Sequence, residues 1–336
     1  MSPKQPITMD DIAALAKVSK PTVSRALSDS PLVNAQTKKH VLSVARKYGY
    51  AVNRNAQKLR HKNTNTIGVS IDFSSHRQNH ISDPFIFELL AGVSEALGDL
   101  NKDLLLCAPN HNDTDSLHHI YSSRGADGFI FLGQGHRMDV LDEFASTGAP
   151  FVVWGAPTEN TSYCVVGSDN VLGGQMAGKY FLQRRRRNFL FLGNLSHSEI
   201  YARYKGLQQV LEESGEDIKL NNIELDYFTY EAAFEAASEY LDSISGPPDA
   251  VLAYNDTAAM AFIRLMIDRG LRVPEDVSVV GYNDIPAAAF FSPPITTIRQ
   301  DTYQAGKLLV KKLMQILDNK EVTSGKIKTE LIVRDT

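Results

Sequence analysis

The sequence predicts a short all-helical head followed by a larger α/β body made of two doubly wound, parallel-sheet lobes. Three observations carry this. The first fifty residues show apolar spacings of helical period only. From Thr66 onward, short apolar runs alternate with amphipathic stretches. Charge divides at the same place. Residues 1–62 hold twelve Lys or Arg and three Asp or Glu (net +9), while residues 63–336 hold 23 and 36 (net −13), which together make the overall −4. A basic head on an acidic body points to a head that meets phosphate.

In the head, Thr8 opens a helix, with Asp11 completing a capping box in place of the usual longer acid. Ile12, Leu15 and Ala16 line its inner face. Ser19 caps a second helix, Pro21 is tolerated in its first turn, and Val23, Ala26 and Leu27 form its apolar stripe. A third helix runs from about Ala35 to Tyr48, with Val41, Val44 and Ala45 inward and Gly49 as its left-handed stop. Three short helices with a tight connection between the first two make a helix-turn-helix. Residues 51–65, AVNRNAQKLRHKNTN, are polar and basic and form a linker. Its stretch NRNAQKLR has enough amphipathic character to fold on contact with a partner.

In the body, the strand-like runs are TIGVSI, DLLLCA, GFIFLG, FVVW, YCVVG, NFLFLG, AVLAY and VSVVGY, with helices such as FIFELLAGVSEAL and ARYKGLQQVLEE between them. Such runs suit strands buried on both faces, hence parallel sheets with crossover helices. They are too many for one sheet, which argues for two lobes. No apolar run reaches the roughly 18 residues of a membrane span. The opening MSPKQPITMDDIA lacks a secretory core, which points to the cytoplasm. Cys107 and Cys164 sit in apolar runs far apart and are expected as buried free thiols.

The segment VSKPTVSRAL contains the second helix and is the strongest functional signal. Laid in a major groove, Arg25 can donate two hydrogen bonds to a guanine edge, while Thr22, Ser24 and capped backbone amides can hold phosphates. The head sequence TMDDIAALAKVSKPTVSRALSDSPLVNAQTKKHVLSVARKYGY resembles the DNA-binding domain of the LacI/GalR repressor family. The resemblance continues through NRNAQKLR, TIGV, SDPFIFELLAGVSEAL, VGSDN, the R-x-x-G of Arg203–Gly206, YNDTAAM, VPEDVSVVGYND and SPPITTIRQD, in family order over essentially the whole chain.

The resemblance implies an operator-binding repressor whose body shares the fold of periplasmic sugar-binding proteins. It places Lys20, Pro21 and Arg25 where the family reads bases. Pro21 departs from the polar residue common there and has no donor to offer. It assigns Asn53, Ala56 and Leu59 to a hinge helix that forms on DNA and wedges a leucine into the minor groove. Val52 replaces a proline common in the family. The candidate DNA-binding residues are thus Thr8, Ser19, Lys20, Pro21, Thr22, Ser24, Arg25, Asn34, Thr37, Asn53, Ala56 and Leu59.

Effectors in this fold sit beyond the carboxyl ends of the strands. The candidates there are Asp83, Phe85, Trp154, Arg203, Tyr227, Asn255 and Asn283. Arg203 matches the family arginine that grips hydroxyls or carboxylates, and Tyr227 lies where an aromatic often stacks. Asn283 stands where the family often has Asp. Asp256 is expected to cap the helix after AVLAY. Flat aromatics with Asp, Asn and Arg suit a sugar, with a purine or nucleoside as the alternative.

The expected domains are 1–50 (DNA-binding), 51–65 (hinge) and 66–336 (effector-binding and dimerisation). Within the last, one lobe is expected from 66–162 and 292–322, the other from 163–291 and 323–336. The expected assembly is a homodimer, and the chain ends at TELIVRDT without a heptad helix for a coiled-coil tetramer. No cofactor, metal, membrane or catalytic role is expected. Gly173–Lys179 (GGQMAGK) has phosphate-loop spacing, but Tyr180 replaces the magnesium-binding Ser/Thr and the stretch falls in a helical pattern. Arg184–Arg187 suits a helix C-terminus better than a nucleic-acid patch. The rival classes are an enzyme carrying a DNA-binding head, which would need a nucleophile or acid/base pair that no motif supplies, and a repressor controlled by a protein partner.

Overall fold

Helix α1 (Met9–Ala16) begins at Thr8, whose hydroxyl accepts from the Asp11 amide while the Asp11 carboxylate accepts from the Thr8 amide at 2.8 Å. The helix stops where Lys17 turns left-handed (φ +52°) and the Val18 amide closes onto the Ala13 carbonyl at 3.0 Å. That stop leaves a three-residue turn before helix α2 (Lys20–Leu27), capped by Ser19. Helix α3 (Ala35–Lys47) is capped by Asn34 and ends at Tyr48, followed by Gly49 at φ +66°. Ile12, Ala13, Ala16, Val23, Ala26 and Val41 form the core. Leu15, expected inward, is 43% exposed, and Ala13 takes the buried position. Among the described residues of the head, only Ile12, Val23 and Val41 are large and fully buried. At about 1.5–3 kcal/mol each, they leave the head a small margin.

The computed structural model describes residues 7–50, 63–72, 83–108, 113–135, 138–156 and 161–336. Two units emerge, Met1–Thr64 and Asn65–Thr336. Val52, Asn53, Ala56 and Leu59 lie outside the described residues.

Among the described residues, the body holds two six-stranded sheets. The first orders as β11-β5-β4-β3-β1-β2 and is parallel throughout. Its strands are β1 (Thr66–Ile71), β2 (Asp103–Leu106), β3 (Gly128–Leu132), β4 (Phe151–Trp154), β5 (Val165–Ser168) and β11 (Gly325–Ile327). Helices α4 (Pro84–Asp99), α5 (Thr114–Ser122), α6 (Met138–Ser146) and α12 (Thr302–Leu317) belong with it. The second sheet orders as β12-β10-β9-β8-β6-β7, parallel except for β12 against β10. It comprises β6 (Asn188–Leu192), β7 (Lys219–Ile223), β8 (Ala250–Ala253), β9 (Ser278–Asn283), β10 (Thr296–Gln300) and β12 (Thr329–Ile332). Helices α7 (Asn170–Gln183), α8 (Ser198–Glu213), α9 (Tyr230–Ser243), α10 (Asp256–Asp268) and α11 (Pro286–Phe290) accompany it.

The chain therefore crosses between lobes at 168–170, 300–302 and 327–329. This corrects the expected boundaries. Strand β5 stays in the first lobe, β10 belongs to the second, and β11 returns to the first. A buried apolar strand has the same composition in either sheet, so its partner is set by the crossover rather than by its own residues. Strand β2, expected to be buried, lies at an edge, with Leu106 half exposed.

Candidate DNA-binding helix and candidate ligand cleft

On α2, Val23 and Ala26 face the core, so Lys20, Pro21, Ser24 and Arg25 fall on the opposite side. Arg25 is exposed and its side chain has no hydrogen-bond or ion-pair partner among the described residues. Lys20 Nζ rests on Asp10 Oδ2 at 2.7 Å, with both side chains more than half exposed. Such a pair is worth about 0–1 kcal/mol and releases its lysine readily. Thr22 completes the Ser19 cap, its hydroxyl 2.8 Å from Ser19 Oγ. Asn34 accepts from the Thr37 amide at 2.8 Å. Of the expected DNA-binding residues, Thr8, Ser19, Thr22, Asn34 and Thr37 thus shape helix N-termini, while Lys20, Pro21, Ser24 and Arg25 form the side chains of one face.

In the body, residues after the carboxyl ends of seven strands surround a cavity of about 110 Å³, the scale of one small ring. The first lobe supplies Asp72 after β1, Asp83 and Phe85 at the start of α4, the glycines 133 and 135 after β3, and Trp154 at the end of β4. The second supplies Glu199 and Arg203 on α8, Phe228 after β7, Asn255 after β8 and Asn283 ending β9. Phe85 and Trp154 pair at 5.9 Å in the first lobe. His197, Phe228 and Tyr254 run together at 4.8 and 4.5 Å in the second.

Six of the seven expected effector residues line this cleft; the seventh, Tyr227, is 41% exposed, and its neighbour Phe228 supplies the ring. Two adjacent aromatics in a loop have no periodicity to tell them apart. Asp83 caps α4 by accepting from the Phe85 amide at 3.0 Å. Asn255, and not Asp256, caps α10, accepting from the Ala258 amide at 2.8 Å. Asp256 instead accepts from the Ile285 amide and the Thr297 hydroxyl, tying α10 to the end of β9 and to β10. Its carboxyl is fully buried, and burial pushes its pKa up to about 7 against those two hydrogen bonds.

Arg203 is buried, with its Nε on Asn170 Oδ1 at 2.9 Å, one terminal nitrogen on the Tyr254 carbonyl, and its plane 3.7 Å over the Tyr282 ring. Burial lowers its pKa, opposed by Tyr282 and Glu199. Glu199, one helical turn before Arg203, has its pKa raised by burial and partly held down by the helix amide and Arg203. Sequence reasoning missed Glu199, although its i, i+4 spacing to Arg203 was a usable signal. It also missed Asp72, which directly follows the first strand.

The phosphate-loop pattern lies inside α7, where Gly173 and Gly174 give way to the Tyr282 ring and the Arg203 carbonyl. Three of the four arginines in the run are engaged within the chain. Arg184 stacks on Tyr180, Arg186 binds the carbonyls of Pro274 and Glu275, and Arg187 pairs with Glu216.

A helix-turn-helix with an exposed reading face and a two-lobed cleft define a DNA-binding regulator with a ligand-binding body. Residues 8–53 match the family described as bacterial regulatory proteins, lacI family, and residues 179–336 match the periplasmic binding protein-like domain. The chain is 31% identical over 336 residues to the HTH-type transcriptional repressor PurR of Photobacterium profundum, with 97% of each covered. A lac repressor dimer bound to operator and the anti-inducer ONPF superposes with a TM-score of 0.86 at 23% identity over 99% of both chains. The complex of the regulator CelR with cellobiose gives 0.72 at 26% identity, covering 98% of this chain and 99% of that one. The chain belongs to the lacI family and is a DNA-binding transcriptional repressor with an effector-binding domain, not an enzyme.

Proposed function

We propose that this repressor is controlled by a small sugar held between the lobes and governs genes of carbohydrate metabolism, acting in the cytoplasm as a homodimer on a pseudo-palindromic operator. The observation that carries the effector class is the pairing of aromatic walls from both lobes with a rim of Arg203, Asn255, Asn283, Asp83 and Glu199. A sugar ring has apolar faces for the aromatics and an edge of hydroxyls that both donate and accept. Phe228 replaces Tyr227 in the proposed site, which otherwise keeps Asp83, Phe85, Trp154, Arg203, Asn255 and Asn283.

On DNA, Lys20 and Arg25 read base edges, while Ser24 and the capped amides around Thr8, Ser19, Thr22, Asn34 and Thr37 hold phosphates. Pro21 adds contact without a donor. Asn53, Ala56 and Leu59 serve as the hinge, with Leu59 as a wedge at the operator centre. Effector binding changes the angle between lobes and so the spacing of the two hinges in the dimer, releasing DNA. The coupling is reciprocal, so operator binding weakens the effector by the same factor.

A purine is the second reading. A relative bears the name PurR, and an aromatic-walled slot also suits a flat base. Calorimetry on the full-length protein with glucose, ribose, cellobiose, guanine and hypoxanthine separates the two. The sugar reading expects one sugar per chain, unconsumed, with weakened binding to operator fragments selected from genomic DNA by the ligand-free protein. A purine alone would transfer control to the second reading, and turnover of a bound sugar would remove the first. Lys20→Ala and Arg25→Ala are each expected to cost about 1–3 kcal/mol of operator affinity while leaving effector affinity unchanged, as measured by fluorescence anisotropy.

A further inference from the structure

The three segments that join the lobes meet a buried polar chain that also reaches the cleft. At the first crossover, the Ser168 hydroxyl donates to Gln300 Oε1, and Asn170 Nδ2 donates to the Ser168 carbonyl at 3.4 Å. At the second, Gln300 Nε2 donates to Asn283 Oδ1 at 2.6 Å. The third joins through Thr329, whose hydroxyl accepts from the Asp169 amide at 3.2 Å, while Lys326 Nζ binds Asp169 Oδ2 at 3.0 Å. The chain reaches the cleft at two ends, Arg203 on Asn170 and Asn283 on Gln300. Ser168, Asn170, Arg203, Asn283 and Gln300 are each more than nine-tenths buried.

We infer that Ser168, Asn170 and Gln300 are positioning residues that carry the state of the cleft to the lobe crossovers. This rests on the reading that a ligand in the cleft moves the lobes. The physical reason lies in what a buried amide must do. Each donor and acceptor here is cut off from water, so none can lose its partner without finding another. A ligand that draws on Arg203 or on the Asn283 amide disturbs a bond that now holds Asn170 or Gln300. Those residues must then re-pair, and they sit on the segments about which the lobes turn. Amides can exchange partners by rotation, whereas the close-packed side chains on either side have a single fit.

The test needs neither effector nor operator, so its outcome is independent of the sugar assignment. Hydrogen exchange is measured on full-length protein carrying Gln300→Leu, which keeps the side chain's bulk and removes both ends of the amide, and on Asn283→Ala. Amides at 168–170 and 327–329 are expected to exchange about tenfold faster in both variants. Strands β3 and β8, one in each lobe, are expected to keep wild-type rates. Gln300→Glu is expected to return the crossovers to within about twofold of wild type. One of its oxygens accepts from Ser168, and the other accepts from the Asn283 amide once that amide turns over. Wild-type exchange at the crossovers in Gln300→Leu, a uniform rise across both lobes, or failure of Gln300→Glu to restore protection would each overturn the inference.

Discussion

The two lobes of the body share one winding and differ in what they hold. Strands β1–β5 and β6–β10 follow the same spatial order, and each sheet receives a sixth strand from the C-terminal part of the chain, parallel in the first lobe and antiparallel in the second. Both use the same device to bring helices together. Gly92 of α4 and Gly306 of α12 let those helices touch at the backbone in the first lobe, as Gly174 of α7 and Gly206 of α8 do in the second. Beyond that they part. One side of the first sheet packs Phe129, Phe131, Phe144 and Phe151 edge to face. The second lobe buries Arg203 and Asp256. The same winding therefore supports an aromatic-packed core on one side of the first sheet and buried charged groups in the second lobe, because topology fixes where strand ends point and leaves their residues free to vary.

The largest expected effect falls on the aromatic core of the first lobe. Phe144 is fully buried and meets Phe129, Phe131 and Phe151 at 5.3–5.4 Å. Phe144→Ala is expected to cost about 3–5 kcal/mol in chemical denaturation. If the second lobe lost as much protection as the first, the lobes would be one cooperative unit and the contrast between them would weaken. Ligand recognition should divide in the opposite sense. Arg203→Ala is expected to lower effector affinity by about 1.5–3 kcal/mol, the range for hydrogen bonds to a charged group. Phe85→Ala should lose only about 0.5–1.5 kcal/mol. Calorimetry that found the larger loss at Phe85 would reverse the assignment of polar and stacking roles.

The shared glycine device makes a matched pair of tests. A Cβ on Gly206 would strike the Val171 carbonyl, and one on Gly306 the Leu89 carbonyl. Gly206→Ala and Gly306→Ala are each expected to destabilise by about 1–3 kcal/mol, and unequal losses would show which lobe yields more easily. A dependence on pH is expected as well. The Asp256 pKa is raised to about 7 in the folded chain, from an ordinary value of 3.8. The native state then binds the extra proton, so this contribution to stability is full below about pH 4 and is lost as pH rises through about 7. Asp256→Asn is expected to flatten that slope, as read from melting temperatures at pH 5 and pH 8; an unchanged slope would assign it to another group.

Much of this molecule was legible residue by residue. Thr8, Ser19 and Asn34 cap the helices of the head, Gly49 follows the last of them, and the eight apolar runs are strands. Six of the seven residues expected at the cleft from strand ends and family motifs line it. Four strands, β7 and β10–β12, were not legible: Lys219–Ile223 (KLNNI) at a sheet edge lacks both an apolar run and a clean alternation, and Gly325–Ile327 is too short to show a period.

The sequence by itself determined the helical head, the alternation of strands and helices, and the residues that face a cleft, because capping, periodicity and strand-end position depend on neighbours along the chain. Only the tertiary structure decided which sheet each strand joins, that Phe228 and not Tyr227 lines the cleft, that Glu199 sits beside Arg203 there, and that Ser168, Asn170, Asn283 and Gln300 form one buried chain. Those facts join residues 132 positions apart and more. Which of several equally apolar or polar candidates meet across such a distance is settled by packing and crossovers, to which no local pattern is sensitive.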